Sequence, residues 1–265
     1  MQVSDQQIKI FHADGAVLIK GLLSDWIEVI RHGIERNISG PGPYAKDNLK
    51  PGEPGRFFDD YCNWNRIPEF ERVIFESEIG RIAAQLMRSR SVQMFHDHVL
   101  VKEPGTEKAT PWHQDSPYYF VGGSQTVSFW CPMDPVGAAT LRCVAGSHLW
   151  EKLVLPTRWL SEERFYPDED AYLPVPDPDN EPDIYRVLEW QMEPGDAVAF
   201  HFRTLHGTRG NHTTARRRAF SLRFVGDDAH YVERPGRTSP PFPGHNMSEG
   251  EPLREDWFPI VFPSD

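Results

Sequence analysis

A short segment in the middle of the chain carries the first residues whose types and spacing suggest chemistry. His113 and Asp115 stand two residues apart in the run Trp112-His113-Gln114-Asp115. Because alternate side chains of an extended strand point to the same side, an imidazole and a carboxylate can reach one point in space. The pair alone is weak evidence, since a His-x-Asp triplet also arises by chance.

A third metal-ligand candidate is His206, which begins the segment His206-Gly207-Thr208 far downstream. Two histidines and one carboxylate on one face of an octahedral metal are typical of non-heme Fe(II) oxygenases, in which the open positions accept a bidentate co-substrate and O2. His201 competes for the same role, but the His-Gly-Thr context favours His206. The sequence therefore predicts a metal site formed by His113, Asp115 and His206.

Three consecutive arginines, Arg216 to Arg218, open a β-rich run further along the chain. Period-two alternation places Arg217 on one face of the strand and its two neighbours on the other. An inward arginine needs an anionic partner, because an unpaired buried charge is costly. A dicarboxylate co-substrate would supply that partner through a bidentate contact. For Arg216 and Arg218 we favour a solvated edge or ion pairs with the acidic insertion at residues 155–185.

Taken together, these motifs resemble the phytanoyl-CoA dioxygenase-like family of Fe(II)/2-oxoglutarate oxygenases. The resemblance rests on His-Gln-Asp with the following Tyr118-Tyr119, on residues 145–148 (Ala-Gly-Ser-His), on Gly195-Asp196, and on His206-Gly207-Thr208 followed by Arg217. The amino-terminal residues 14–17 and 21–23 also look like the family, so the resemblance covers nearly the whole chain. Each motif alone is unspecific, whereas five in the right order are strong evidence.

The resemblance implies an α+β fold with a double-stranded β-helix (jelly-roll, cupin-like) core and helices packed against one sheet. It implies that His113, Asp115 and His206 bind iron. It also implies that Arg217 binds the distal carboxylate of 2-oxoglutarate. The further co-substrate contacts that it implies are Thr208, Trp130, Gln114 and His98, of which His98 departs from the residue type expected there.

The implied reaction uses Fe(II), 2-oxoglutarate and O2, releases succinate and CO2, and hydroxylates or otherwise oxidises a small-molecule substrate. Halogenating relatives have a small residue at the position of Asp115, which opens a coordination place for halide. A carboxylate occupies that place here, so hydroxylation or a related oxidation is favoured. Tyr118, Tyr119 and Arg142 are candidate substrate contacts; packing is the alternative for the tyrosines, and pairing with Asp134 is the alternative for Arg142.

The elements that must position these residues follow from periodicity. Ser4 and Gln7 form a capping-box pattern at the start of a first helix, residues 16–19 form a short strand, and residues 25–37 form a second helix. Two more helices are predicted around residues 68–76 and 78–88. Residues 41–66, rich in glycine, proline and aromatic side chains, are either a lid or an ordinary packed loop.

From residue 92 onward, short β-rich runs separated by Gly, Pro and Asp turns predict a sandwich or barrel of antiparallel strands. We expect a single domain over residues 1–265. Its helical part ends near residue 90, its jelly-roll core spans about 91–230, and a Pro-rich tail follows.

Composition excludes several classes of function. The chain has 265 residues, and 39 acidic against 28 basic residues give a net charge of −11, which disfavours nucleic-acid and anionic-membrane surfaces. No apolar run approaches the roughly 18 residues of a membrane span, and the first residues lack the features of a signal peptide. Three scattered cysteines form neither a disulfide framework nor a zinc site, so we predict a cytoplasmic protein.

Two other functions are compatible with the same residues. A zinc-dependent hydrolase would use the three ligands as a Lewis-acid site, but it has no need for an arginine that clamps a dicarboxylate. A non-catalytic jelly-roll binding protein would retain the motif by descent. The sequence leaves the identity of the primary substrate and the oligomeric state open.

Overall fold

The helices of the computed structural model lie in the first third of the chain; the structure describes residues 2–159, 163–167 and 170–262. They are α1 (Asp5–Asp14), α2 (Ile27–Ser39), α3 (Pro68–Glu76) and α4 (Ile79–Met87). The capping box is confirmed, since the Ser4 hydroxyl accepts from the Gln7 backbone N–H and the Gln7 side chain accepts from the Ser4 backbone. Gly15 ends α1 with φ of 77°, where a Cβ would lie only 2.4 Å from the His148 ring.

Fourteen strands make up the β structure of the described residues. In chain order they are β1 (Ala16–Ile19), β2 (Lys46–Asp47), β3 (Phe57–Tyr61), β4 (Val92–Lys102), β5 (Thr110–His113), β6 (Val121–Gly122), β7 (Thr126–Pro132), β8 (Leu141–Val144), β9 (Val187–Glu189), β10 (Ala197–Phe200), β11 (His206–Thr208), β12 (Arg217–Val225), β13 (His230–Tyr231) and β14 (Ile260–Phe262).

Two antiparallel sheets form the core. The larger has the order β1-β10-β7-β12-β4-β3-β2, with β14 also paired to β4, and the smaller has the order β5-β11-β8-β9. Strands that are distant in sequence are neighbours in both sheets, as a jelly roll requires. The predicted fold class, an α+β jelly roll with packed helices, is confirmed.

The larger sheet buries both of its faces. On β12, Phe220, Leu222 and Phe224 alternate outward into an apolar core that they share with the four helices. Residues Arg217, Ala219, Ser221 and Arg223 alternate inward. Apolar residues between the sheets, among them Trp130, Leu141 and Phe200, form a second core beside the polar side chains. The outer face therefore supplies packing, and the inner face of the same strand is free to carry chemistry.

The segment at residues 41–66 contains two strands that the sequence did not predict, the short β2 and the longer β3. Residues Phe57–Tyr61 form β3, which pairs with β4 inside the larger sheet, and all five residues are buried. A strand covered on both faces shows no polar alternation, so its periodicity gave no indication of it. Within the described part of the chain, no helix is long and apolar enough to cross a membrane.

Candidate active site

Three side chains that the sequence singled out converge between the two sheets. The ligand atoms of His113, Asp115 and His206 all lie within 4.8 Å of one another, and all three residues are buried. Each histidine Nε2 lies 3.9 Å from Asp115 Oδ1. Two imidazole nitrogens and one carboxylate oxygen around a common point are a donor set that fits Fe(II).

Strand pairing brings the two histidines together. His113 ends β5 and His206 begins β11, and the two residues are direct partners in the antiparallel register. The glycine of the His-Gly-Thr motif permits this pairing, because a Cβ on Gly207 would lie 2.9 Å from the Thr110 carbonyl oxygen. The spacing of the motif therefore has a packing cause as well as a chemical one.

Asp115 reaches the same point by a different route from the one predicted. Its backbone has φ of −71° and ψ of −41°, which is helical, and it caps the 3₁₀ turn Ser116–Tyr118. The convergence predicted from the sequence is confirmed, but the expected extended backbone is wrong. The chain turns after His113, and the turn directs the carboxylate towards the histidines.

The imidazoles are held in the form that binds a metal. Nδ1 of His113 lies 2.8 Å from the Pro111 carbonyl oxygen, and Nδ1 of His206 lies 2.9 Å from that of Thr204. A proton on each Nδ1 satisfies these acceptors and leaves both Nε2 lone pairs directed at Asp115. Burial, followed by the neighbouring His206, lowers the pKa of His113 to about 3, and burial also lowers the pKa of His206.

The second oxygen of Asp115 is held from the larger sheet. Oδ2 accepts a hydrogen bond from the Ser128 hydroxyl at 3.1 Å and lies 3.4 Å from Arg223 Nε. Burial alone would raise the pKa of this carboxyl, but its neighbours, the charge of Arg223 first among them, outweigh burial and hold the pKa well below its usual range. Asp115 is therefore ionised, with Oδ1 available to a metal.

Arg217 is buried without a partner for most of its guanidinium. It is only 3% exposed, and its Nε and Nη2 make no hydrogen bond to any described residue. Its guanidinium carbon lies 5.5 Å from the centre of the Trp130 ring. Orphaned guanidinium nitrogens in a buried position fit a carboxylate ligand. The predicted strand phase is confirmed, since Arg217 faces inward whereas Arg216 and Arg218 do not.

Arg216 and Arg218, the residues on either side of Arg217, form ion pairs, which is one of the two alternatives that the sequence analysis favoured. Their partners, however, lie outside the acidic insertion at residues 155–185. Arg218 contacts Asp134 at 2.7 Å, and Arg216 contacts Glu103 at 2.8 Å. Both arginines also bond to Glu35 on α2.

A cavity of about 420 Å³ opens beside the triad. His113 and Asp115 line it, and so do His98 and the two candidate substrate residues Tyr118 and Tyr119. The remaining lining comes from five parts of the chain, and its residues are Lys46, Asp47, Asn48, Asp59, Tyr61, His96, Thr157, Arg158, Trp159, Phe165, Arg223, Ser239 and Pro240. The loop at 41–66 and the insertion at 155–185 thus both contribute walls to the cavity.

Two of the predicted contact residues have other roles. The Gln114 amide accepts from the Val154 backbone N–H at 2.8 Å and donates to the Arg203 carbonyl, so the backbone occupies it. Arg142 binds Asp179 rather than Asp134 and stacks on Trp112 at 4.6 Å. Neither of them lines the cavity, and the same holds for Arg217, Thr208 and Trp130, which lie deeper between the sheets. The Gln114 and Arg142 side chains thus have protein partners in this structure, and their contacts with co-substrate and substrate stay predictions.

Around the predicted contact residue His98, the structure adds polar residues that the sequence analysis did not select, among them Asp59, Asn48 and Arg223. His98 Nε2 lies 2.9 Å from Asp59 Oδ2, and Asn48 donates to the other oxygen of Asp59. Arg223 and His96 are direct partners across β12 and β4, and each has a buried nitrogen without a partner, Nη1 and Nε2 respectively. Their positions depend on β3 and on the pairing of β4 with β12, which no local sequence pattern encodes.

Comparison with known proteins assigns the chain to a family. Residues 11–219 match the family model described as Phytanoyl-CoA dioxygenase (PhyH). The chain belongs to this family. A curated relative, described as a probable phytanoyl-CoA dioxygenase from Caenorhabditis elegans, is 29% identical over 211 residues, which cover 73% of this chain. The match spans 62% of the nematode protein's length, a little under two thirds.

Solved structures share the fold of this PhyH-family chain. A non-heme α-ketoglutarate-dependent carbocyclase, SnoK from nogalamycin biosynthesis, superimposes with a TM-score of 0.75 at 24% identity, covering 98% of this chain and 96% of that one. The epimerase SnoN, in complex with Fe3+, α-ketoglutarate and nogalamycin RO, gives a TM-score of 0.77 at 18% identity, covering 97% and 98%. At these identities the likeness concerns the fold.

Proposed function

We propose that this PhyH-family protein is a non-heme Fe(II)/2-oxoglutarate-dependent dioxygenase, an oxidoreductase that hydroxylates or otherwise oxidises a small molecule. The observation that carries the proposal is the convergence of His113, Asp115 and His206 beside an open cavity. The family match and the orphaned guanidinium of Arg217 support it.

The chain's own residues would hold the iron through Nε2 of His113, Nε2 of His206 and Oδ1 of Asp115. When bound, iron and 2-oxoglutarate supply the oxidation with O2, and succinate and CO2 are released. Ser128 and Arg223 would keep Asp115 Oδ2 away from the metal, so that the carboxylate uses one oxygen. The remaining positions then stay open for the co-substrate and O2.

We propose that the co-substrate extends from the triad towards Arg217. Arg217 would bind its distal carboxylate, with the Thr208 hydroxyl and the Trp130 indole beside it. His98, which lines the cavity and is held by Asp59, would contact the co-substrate nearer to the metal. Gln114 is omitted from this set because the backbone occupies its amide.

The substrate would enter the cavity from the side of Tyr118 and Tyr119. Arg223 Nη1 is an unused donor and His96 Nε2 is an unused nitrogen on the same wall, so the bound group would be polar. A net charge of −11 favours a small molecule over nucleic acid or an anionic membrane surface. The three cysteines are free thiols, which suits the reducing cytoplasm that we propose. We also propose that residues 1–265 act as one domain.

The decisive experiment measures succinate from 2-oxoglutarate with anaerobically loaded Fe(II), O2 and a metabolite library. We expect succinate in the presence of iron, a stimulation by one class of substrate, and no succinate from Asp115→Ala. Zinc-dependent turnover without O2 would support the hydrolase alternative instead. Binding of library compounds with no succinate under any condition would support the non-catalytic binding protein.

A further inference from the structure

A second buried cation lies next to Arg217. Lys102 ends β4 and is the direct register partner of Arg217 on β12. Its side chain is fully buried, at 0% exposure, although lysine is among the residues least often buried. The sheet therefore places an ammonium beside the orphaned guanidinium.

The described contacts of the Lys102 ammonium are all to neutral groups. Nζ donates to the Thr208 hydroxyl at 3.1 Å and to the Arg209 carbonyl at 3.2 Å, and it lies 4.6 Å from the centre of the Phe57 ring. An ammonium has three N–H donors, so one remains after these two hydrogen bonds.

In the part of the chain that the structure describes, no carboxylate forms an ion pair with either of these two charges. Asp134 is engaged by Arg218. Burial lowers the pKa of both groups, that of Arg217 to about 10, and the charge of Arg217 lowers the pKa of Lys102 further. Two adjacent buried cations repel each other and lack solvation, so the arrangement suits an anionic ligand that contacts both.

We propose that Lys102 is a second cationic residue of the distal-carboxylate subsite, so that the co-substrate carboxylate is held by two charges rather than by Arg217 alone. This inference rests on the proposed function. Lys102 would act by its field and its remaining N–H, and through Thr208, whose hydroxyl it positions. The subsite would then select dicarboxylic 2-oxo acids over monocarboxylic ones more strongly than a single arginine does.

The test compares two ligands that differ only at the distal end. Dissociation constants of 2-oxoglutarate and 2-oxopentanoate are measured calorimetrically on the Mn(II)-loaded protein, without turnover. We expect the wild type to bind 2-oxoglutarate more tightly than 2-oxopentanoate. Lys102→Met should raise the dissociation constant of 2-oxoglutarate by about tenfold or more and change that of 2-oxopentanoate by less than about twofold. Lys102→Arg should keep most of the preference for 2-oxoglutarate. Arg216→Met should keep all of it, because Arg216 lies just before β12 and pairs with Glu103 and Glu35.

Two results would overturn the inference. If Lys102→Met weakens the binding of both ligands equally, Lys102 only maintains the local structure. The same conclusion follows if the ratio of the two dissociation constants is unchanged and the melting temperature of the variant is lower. If Lys102→Met does not fold, Lys102→Gln is measured in the same way, with the same criterion. Failure of the wild type to bind either 2-oxo acid would instead refute the proposed function itself, which separates the two failures.

Discussion

At the scale of single residues, the metal ligands differ from the other buried histidines by what their Nε2 atoms face. We expect His113→Ala and His206→Ala to abolish stoichiometric Fe(II) binding while the fold is retained, because each removes one of three donors and no packing core. Equilibrium metal titration and far-ultraviolet circular dichroism measure the two effects. His201→Ala is the matched control, since this half-buried histidine bonds to the Ser124 carbonyl instead. Full metal binding by both ligand variants would refute the site.

Arg217 and its neighbours on β12 allow a comparison within one strand. Arg217→Ala should weaken the binding of 2-oxoglutarate by on the order of 2–5 kcal/mol, because a buried charge-assisted contact is lost. Arg216→Ala and Arg218→Ala should leave the 2-oxoglutarate requirement nearly unchanged, since these two arginines pair with Glu103 and Asp134 outside the site. The co-substrate dependence of succinate formation measures all three. Equal effects of the three substitutions would contradict the interpretation that only Arg217 faces the site.

The identity of residue 115 determines the expected reaction type. With Asp115 in place, added chloride or bromide should give no halogenated product, because the carboxylate occupies the position that a halide needs. With isotopically labelled oxygen gas, the product should gain one labelled oxygen, unless the oxidation ends in desaturation or dealkylation. Mass spectrometry separates these outcomes. Asp115→Gly vacates the position and permits chloride to bind. Chlorination by the wild type would refute the oxygenase interpretation.

The sequence predicted the residues whose chemistry is recognisable from type and spacing. His113, Asp115, His206 and Arg217 were found in this way. Lys102 and Arg223 were not, because a lysine or arginine on a β-rich run gives no indication of which face it occupies until the register is known. The hydrogen bonds of the Gln114 amide to the backbone of Val154 and Arg203 were not predicted either, because these partners are distant in sequence.

At the scale of elements, β4 carries chemistry on one face and an anchor for the 41–66 segment on the other. His96 and His98 line the cavity, whereas Asp97 points away and accepts hydrogen bonds from the backbone N–H groups of Asn63 and Trp64 at 2.7 and 2.9 Å. This contact joins β3 and the chain after it to the strand that lines the site. The sequence could not predict it, because β3 itself was not predicted.

The anchor at Asp97 gives a pH dependence with a definite sign. Burial raises the pKa of Asp97 from 3.8 to about 6, so between these values the folded state binds more protons than the unfolded chain. Stability should therefore fall as the pH rises from about 4 to about 7, by on the order of 3 kcal/mol from this group. Asp97→Asn keeps the acceptor oxygen and should remove this fall of stability between pH 4 and 7. Urea unfolding at pH 4, 5, 6 and 7 measures it.

An exposed carboxylate provides the control for that series. Asp183→Asn, in the insertion, should leave the pH profile of the wild type unchanged. If Asp97→Asn follows the wild-type profile over the whole range, the burial of a charge at Asp97 is not the cause.

At the scale of the whole molecule, the site exists only because both sheets are complete. His113 and His206 belong to the smaller sheet, and Arg217, Arg223 and Ser128 belong to the larger one. The helices contribute no ligand, but they cover the outer face of the larger sheet and so permit its inner face to be polar. This division was predictable from the change from helical to strand periodicity near residue 90, whereas the three strands that precede residue 90 were predicted only in part.

Ligands that bridge the two sheets should stabilise the folded chain as a unit. A ligand at 100 times its dissociation constant adds about 2.7 kcal/mol to the free energy of unfolding, and 1 kcal/mol shifts the melting temperature of a domain of this size by roughly 2–4 °C. We expect Mn(II) alone to raise the melting temperature and 2-oxoglutarate to raise it further, since the metal joins β5 to β11 and the co-substrate adds β12. A chelator should reverse both rises in melting temperature.

Two variants separate the contributions of the metal and the co-substrate. Asp115→Ala should show neither rise in melting temperature. Arg217→Ala should keep the rise caused by Mn(II) and lose most of the further rise caused by 2-oxoglutarate. A 2-oxoglutarate effect of full size in Arg217→Ala would place the co-substrate elsewhere and leave the orphaned guanidinium of Arg217 without an explanation.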